Sequence, residues 1–202
     1  TGHPLRPSVD CRFDPEPNGA SVIWAAVLLA FACWAVTFGW SGGNFWVKIG
    51  LSVLAVFTYS LFWQKPKIDL RLSSFFLGLL SAGVLYSKTQ VGGIYSLGEG
   101  TNRVLIFLLL FFITGPGEEI FWRGFLQDQL MNKWGSLPGF ILTTLIYAGV
   151  HVFSYNLMLI LAALVAGAFW GLLYLWKRDL LVQITSHSFW SAVIFALAPI
   201  QG

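Results

Sequence analysis

The chain has 202 residues, of which 56% are hydrophobic and only 10% are charged, and its formal net charge is +3. Soluble domains carry about 25% charged residues, so this chain cannot cover a water-facing surface and its main solvent must be lipid. Its few basic residues are scattered, which excludes the dense basic patches typical of nucleic-acid-binding proteins.

The first 19 residues are polar and rich in proline, and we interpret residues 1–19 as a solvent-exposed leader rather than a cleavable signal peptide. Cys11 lies in this leader and Cys33 in the first apolar run. A disulfide between them is not expected, and neither has a partner at a zinc-binding spacing.

Seven apolar runs follow, which we interpret as membrane-spanning helices because they are too continuous for the alternating strands of a membrane barrel. A span needs about 20 apolar residues, and the third run is short and contains glycine. They cover about 20–40, 45–63, 72–86, 102–113 continuing into a Glu-Glu segment, 137–153, 157–176 and 180–197. In the fourth run, Gly115-Pro116-Gly117 predicts an interruption after which a helix restarts. In the sixth, Gly167 and Gly171 predict a close helix–helix contact. The sequence therefore predicts an all-α polytopic membrane protein.

The distribution of lysine and arginine predicts the orientation, because cytoplasmic loops carry an excess of these residues. With seven spans, one face collects Arg6, Arg12, Lys65, Lys67, Arg71, Lys133, Lys177 and Arg178, and the other face collects Lys48, Lys88 and Arg103. We therefore expect the N-terminus inside and the C-terminus outside.

Three charged residues, Glu118, Glu119 and Arg123, lie within the fourth apolar region. A charge near the bilayer centre costs at least about 2.5–3.5 kcal/mol on insertion scales, so such residues usually mark a working site. On a helix, Glu119 and Arg123 are four residues apart and can form an ion pair. Glu118 lies about 100° round the helix, is not committed to Arg123, and is suited to act as a general base. The alternative is an interfacial helix that faces water, since Gln127 and Asp128 follow closely.

Two histidines in other spans point to a shared polar pocket. His151 lies late in the fifth span and His187 inside the seventh, with Ser191 four residues after His187 and Tyr147 four residues before His151. Burial of each ionisable group on its own costs free energy, so we expect these groups to lie together in one pocket. A serine nucleophile paired with a histidine is an alternative, but it leaves the glutamate pair without a role.

Three motifs in chain order read Glu118-Glu119-x-x-x-Arg123, Tyr147-x-x-x-His151 and His187-x-x-x-Ser191. Together they resemble the pattern of the CPBP family, the CAAX-protease and bacteriocin-processing intramembrane endopeptidases also called the Abi family. That pattern is Glu-Glu-x-x-x-Arg, Phe-x-x-x-His, and His-x-x-x-Asn or Asp. The resemblance covers about residues 104–197, with Tyr147 in place of Phe and Ser191 in place of Asn or Asp.

The resemblance implies a bundle of about seven transmembrane helices with a conical polar cavity between the last four. It implies an intramembrane endopeptidase that hydrolyses a peptide bond of a membrane-associated protein or peptide with glutamate-activated water. After the leader, residues 20–100 would form N-terminal transmembrane helices and residues 101–202 the catalytic helical core.

The resemblance also assigns roles by motif position. Glu118 would be the general base, and His151 would help to hold the water. His187 and Ser191 would donate hydrogen bonds to the oxyanion. Structural support would come from Glu119, Arg123 and Tyr147.

A metal is the alternative to this mechanism, because Glu118, His151 and His187 have the chemistry of a complete catalytic zinc ligand set. However, no two of these candidate ligands share a helix at the short spacing of His-Glu-x-x-His. We therefore expect a glutamate that acts on water directly, with no cofactor, and keep zinc as the alternative.

Two other functions stay open. One is a catalytically inactive family member that acts in bacteriocin immunity or as a membrane scaffold, to which the departure at Ser191 points. The other is a small transporter or proton relay, since buried Glu and His can pass protons, although no internal repeat supports it. The expected partners are the lipid bilayer and a membrane-anchored substrate, without nucleic acid, and the expected location is the bacterial cytoplasmic membrane.

Overall fold

The computed structural model of the chain describes residues 19–88 and 102–197. These residues form seven helices and no strands. The helices are α1 (Gly19–Gly39), α2 (Phe45–Trp63), α3 (Leu72–Lys88), α4 (Arg103–Trp134), α5 (Ser136–Ser154), α6 (Leu157–Lys177) and α7 (Leu180–Ala192, continued by Val193–Leu197). The predicted all-α polytopic fold is confirmed. The leader, with Arg6, Cys11 and Arg12, lies outside the described residues except for Gly19.

Five helices, namely α1, α2, α4, α5 and α6, are long and apolar enough to cross a membrane, whereas the apolar stretches of α3 and α7 are shorter. The sequence fixes several helix starts through side chains that accept hydrogen bonds from the first free backbone amides. Asn44, Asn102, Asn156 and Asp179 do this for α2, α4, α6 and α7. The helix count and the approximate bounds agree with the apolar runs.

Helix α4 is continuous, so the interruption expected at Gly115-Pro116-Gly117 is wrong. The backbone widens into a π-helix over Leu110–Thr114, and the Gly115 amide donates to the Leu110 carbonyl. Pro116 cannot donate to an α-helical ladder and its ring crowds the carbonyl four residues earlier. A wider turn immediately before it relieves that crowding, so the helix passes through the proline. A second π-helix covers Ile120–Gln127, and such segments are frequent at functional sites.

The two ends of the bundle differ. We call the end with loops 64–71, 135 and 178–179 the basic end, and the end with loops 40–44 and 155–156 the opposite end. At the basic end, Gln64 donates to the Gly124 carbonyl and to Asp128, and Gln129 donates to Gln64. Arg178 pairs with Asp128 at 2.9 Å. These contacts join α2, α4 and the α6–α7 loop.

Glycines let helices approach closely in the second half of the chain. A Cβ added at Gly167 would lie 2.8 Å from Tyr147 Cδ1, and one added at Gly171 would lie 2.8 Å from Phe140 Cδ2. The predicted helix contact at Gly167 and Gly171 is therefore present, and its partner is α5.

Candidate active site

The charges of the first motif are buried. Arg123 Nη1 lies 3.0 Å from Glu119 Oε1, and the exposed fractions of these side chains are 1% and 0%. Glu118 is 8% exposed. The predicted pairing four residues apart is present, and the alternative of an interfacial helix that faces water is excluded for this segment.

Helix α4 also binds the backbone of α6 at its glycines. Arg123 Nη2 donates to the Gly167 carbonyl at 3.2 Å, and Gln127 Nε2 donates to the Gly171 carbonyl at 3.0 Å. The guanidinium lies 4.9 Å from the centre of the Tyr147 ring. Arg123 is therefore held by a carboxylate, a carbonyl and an aromatic face, and these contacts fix the position of Glu119.

Glu118 is not a member of this ion pair. Its Oε2 accepts a hydrogen bond from the Tyr147 hydroxyl at 3.3 Å. The sequence predicted Tyr147 only as a ring beside His151, and the rings do meet edge to face at 5.1 Å. Tyr147 differs from the phenylalanine of the family pattern by this hydroxyl, and the hydroxyl contacts Glu118, the candidate base.

His187 is anchored by Glu119. Its Nδ1 lies 2.7 Å from Glu119 Oε1, the oxygen that also binds Arg123. Because a carboxylate only accepts hydrogen bonds, Nδ1 carries the proton. The imidazole is stacked on Trp170 with ring centres 3.9 Å apart. These two contacts leave Nε2 as the nitrogen available for chemistry.

His151 is held by contacts to both ring nitrogens. Nδ1 lies 2.7 Å from the Tyr147 carbonyl, which fixes the proton on Nδ1 because a carbonyl only accepts. Nε2 therefore carries the lone pair, and the Trp34 indole N–H donates to it at 3.4 Å. Trp34 comes from α1 and is fully buried.

One cavity brings these groups together. Its lining includes Glu118, Tyr147, His151, His187 and Ser191. Its volume of about 110 Å³ gives room for a few water molecules at about 30 Å³ each. By helix rise, His187 lies about 10 Å from the start of α7 and about 15 Å from its end, which is near the middle of the span.

The walls of this cavity extend beyond the last four helices. Two helices of the N-terminal half contribute Trp34 and Phe38 from α1 and Phe45, Trp46 and Ile49 from α2. Most of the wall is therefore apolar and aromatic, with the ionisable groups gathered at one side.

Zinc is the alternative to a reaction in which Glu118 acts on water directly. Within residues 19–88 and 102–197, no group of three or more His, Cys, Asp or Glu side chains is placed to hold a metal ion. The Nδ1 contacts of His187 with Glu119 and of His151 with the Tyr147 carbonyl are also made by histidines that bind metals through the other nitrogen, so the metal-free reaction stays a prediction.

Several residues around the site were not predicted. Trp34 and Trp170 lie on helices without a motif, and only their partners in space give them a role. The sequence feature that could have identified Trp170 is its position three residues after Gly167, beside the face that Gly167 and Gly171 form. For Trp34, nothing in the sequence pattern separates it from the other tryptophans of the apolar runs.

Comparison with known proteins agrees with the motifs. No curated protein and no solved structure matches the chain. Residues 100–193 match the family model described as type II CAAX prenyl endopeptidase Rce1-like, which bears out the resemblance of the three motifs to the CAAX-protease family.

Proposed function

We propose that the protein is an intramembrane endopeptidase that hydrolyses a peptide bond of a membrane-associated protein or peptide, with water activated by Glu118. The matched family is a protease family, which supports a peptidase. The observation that carries the proposal is one cavity lined by Glu118, His151 and His187. We also propose that residues 101–202 are the catalytic core, and that α1 completes it through Trp34.

In the proposed reaction, Glu118 accepts a proton from water, and His151, which lines the same cavity, helps to hold that water. The water oxygen bonds to the carbonyl carbon of the substrate, and its carbonyl oxygen becomes an oxyanion. His187 Nε2 and the Ser191 hydroxyl donate to that oxyanion. As the C–N bond breaks, Glu118 returns its proton to the leaving amine, so atoms and charge balance.

Charge balance supports His187 as a donor. To donate from Nε2 while Nδ1–H is bound to Glu119, the ring must be an imidazolium. Two carboxylates, Glu118 and Glu119, then face two cations, Arg123 and His187. Burial of charges costs the least free energy when they are paired. The face of Trp170, on which the His187 ring is stacked, also favours a cation.

Replacement of Glu118 tests the function. Glu118→Gln keeps the shape of the side chain but cannot accept a proton, so we expect peptidase activity to fall by at least about 10²-fold, in line with the loss of a general base. The measurement is cleavage of a panel of membrane-anchored peptides by purified protein. Asp128→Asn is the control, because Asp128 lies on the same helix at the basic end.

Full activity in Glu118→Gln would contradict the proposal. If a chelator removed stoichiometric zinc and activity together, that result would also contradict the proposal, since the proposed reaction uses no metal ion.

The second candidate is an inactive family member, and Ser191 is the observation that favours it. Ser191 lines the cavity at the position where the family pattern has Asn or Asp. Asn reaches farther than Ser, and loss of one oxyanion donor typically costs about 10²–10³ in rate. For an active enzyme, we expect Ser191→Asn to raise the turnover rate. If neither the natural chain nor Ser191→Asn cleaves any peptide of the panel, the inactive role is favoured.

We further propose that the protein is a multi-pass protein of a bacterial cytoplasmic membrane with its N-terminus inside. The support is the excess of Lys and Arg at the basic end, which we assign to the cytoplasm.

A further inference from the structure

We propose that the Tyr147 hydroxyl positions Glu118 for the reaction, because it binds one oxygen of that carboxylate and so assigns proton transfer to the other. The family pattern has Phe where this chain has Tyr147, so the hydroxyl is a feature of this chain and not of the motif. The contact rests on the structure, and its effect on the reaction rests on the proposed function.

The Tyr147 ring is packed so that its hydroxyl has a fixed direction. The residue is 5% exposed, and the ring rests against Gly167. The Arg123 guanidinium lies 4.9 Å from the ring centre, and the His151 ring meets it edge to face at 5.1 Å. Because the phenol oxygen lies in the plane of the ring, a ring held on these sides also holds its oxygen in place.

The Glu118 carboxyl group is the part of the site that needs such a partner. The terminal torsion of a glutamate side chain is broad, so its two oxygens exchange places readily unless one of them is bound. The Tyr147 hydroxyl donates to Glu118 Oε2 at 3.3 Å. With Oε2 held in this way, we assign to Oε1 the acceptance of the proton from water, and the carboxyl group is oriented before the reaction begins.

The same hydrogen bond suits both protonation states of Glu118 in the proposed reaction. Water gives its proton to Oε1, and the phenol hydrogen stays on Tyr147. The neutral carboxyl group then has its carbonyl oxygen at Oε2, which still accepts from the hydroxyl. The proton therefore remains on Oε1 until it passes to the leaving amine. Tyr147 exchanges no proton, so the balance of the reaction is unchanged.

The length of the contact sets the size of the expected effect. Strong bonds from a hydroxyl to a carboxylate are about 2.5–2.7 Å long, and the bond from Tyr147 to Glu118 is longer, at 3.3 Å. We therefore expect the effect of one ordinary hydrogen bond, about three- to ten-fold in kcat, which is much smaller than the effect of removing the base itself.

Infrared spectroscopy of the full chain tests the contact without any need for catalysis. Tyr147→Phe removes the hydroxyl and keeps the packed ring, and thermal unfolding in detergent checks its fold. The bands of the Glu118 carboxyl group are isolated as the difference between a protein and its Glu118→Gln variant. We expect these bands to shift and broaden when the difference is taken in the Tyr147→Phe background.

Tyr59→Phe is the matched control. The Tyr59 hydroxyl donates to the Val22 carbonyl at 2.8 Å, and Tyr59 lies outside the described lining of the cavity. This variant also loses one hydroxyl and one hydrogen bond, but it should leave the Glu118 bands and the rate of cleavage in place.

Steady-state kinetics with the peptide panel tests the effect on the reaction. We expect Tyr147→Phe to lower kcat by about three- to ten-fold with little change in KM, because the hydroxyl acts through Glu118 and not on the substrate. Unchanged Glu118 bands would overturn the contact. An unchanged kcat, or a change in KM alone, would overturn the positioning of Glu118 by Tyr147. If the natural chain cleaves no peptide, the proposed function fails, and the infrared bands alone decide whether Tyr147 holds Glu118.

Discussion

One carboxylate oxygen, Glu119 Oε1, accepts hydrogen bonds from two side chains of the site. It accepts from Arg123 at 3.0 Å and from His187 at 2.7 Å. Removal of one buried partner leaves the other charges without compensation, which typically costs about 3–5 kcal/mol of stability. Glu119 is thus a positioning residue for His187 as well as the partner of Arg123.

Trp34 positions His151 from a helix outside the family match. Its indole N–H donates to His151 Nε2, which holds the lone pair of that nitrogen in one direction. We expect Trp34→Phe to keep an aromatic ring but to lower peptidase activity by about three- to ten-fold, the equivalent of one hydrogen bond of about 0.5–1.5 kcal/mol.

Nitrogen NMR of labelled histidine gives a second readout, since the chain has only 3 histidines. The His151 Nε2 signal should shift in Trp34→Phe. Trp122→Phe is the matched control, because the Trp122 indole nitrogen is buried and has no hydrogen-bond partner among the described residues. It should leave the signal in place. Equal effects of the two variants on both readouts would show that ring packing, and not the N–H group, is what matters.

At the scale of elements, α5 and α6 pack closely beside the site. The Tyr147 ring rests against Gly167, and the same glycine offers its carbonyl to Arg123. A methyl group at this position would push the ring away from both Arg123 and Glu118. The glycine therefore sets the spacing of three charged or polar groups.

Substitution of this glycine tests that spacing. We expect Gly167→Ala to lower the free energy of unfolding by about 1–3 kcal/mol through overpacking, and to lower activity because the Tyr147 hydroxyl moves from Glu118. Thermal unfolding in detergent measures the first effect and peptide cleavage the second.

Gly83→Ala on α3 is the control, since a Cβ there meets no heavy atom within 4 Å. In a helix this change should stabilise by about 0.5–1 kcal/mol. Equal melting temperatures for Gly167→Ala and the natural chain would mean that Tyr147 is free to move aside.

The elements differ in how far they could be predicted. The length and continuity of the apolar runs were enough to predict seven helices, because a segment in lipid must satisfy its own backbone hydrogen bonds. The continuity of α4 through Pro116 was not predictable, since it depends on the π-helix that precedes the proline. The pairing of Glu119 with Arg123 follows from local helix geometry, but the contact of Glu119 with His187 depends on how α4 and α7 pack.

For the whole molecule, the sequence indicated which residues would be costly to bury separately, and that was enough to group Glu118, His151 and His187. It did not indicate that α1 and α2 close the cavity, because Trp34, Phe38 and Trp46 look like any aromatic residue of an apolar span. The roles of the grouped residues stay predictions, as do the metal-free reaction and the orientation.

The hydrogen bonds at the basic end have a mechanical consequence. Gln64, Gln129 and Arg178 join helices there, and Ser74 joins α3 to the start of α7 through Asp179 at 2.5 Å. Near the opposite end, α1 and α2 are also joined, because the Thr37 and Ser52 hydroxyls lie 2.8 Å apart. For α6 and α7, which are held at the basic end, a small rotation about that end gives its largest displacement at Leu159 and Phe195, so the basic end is the fulcrum of these two helices.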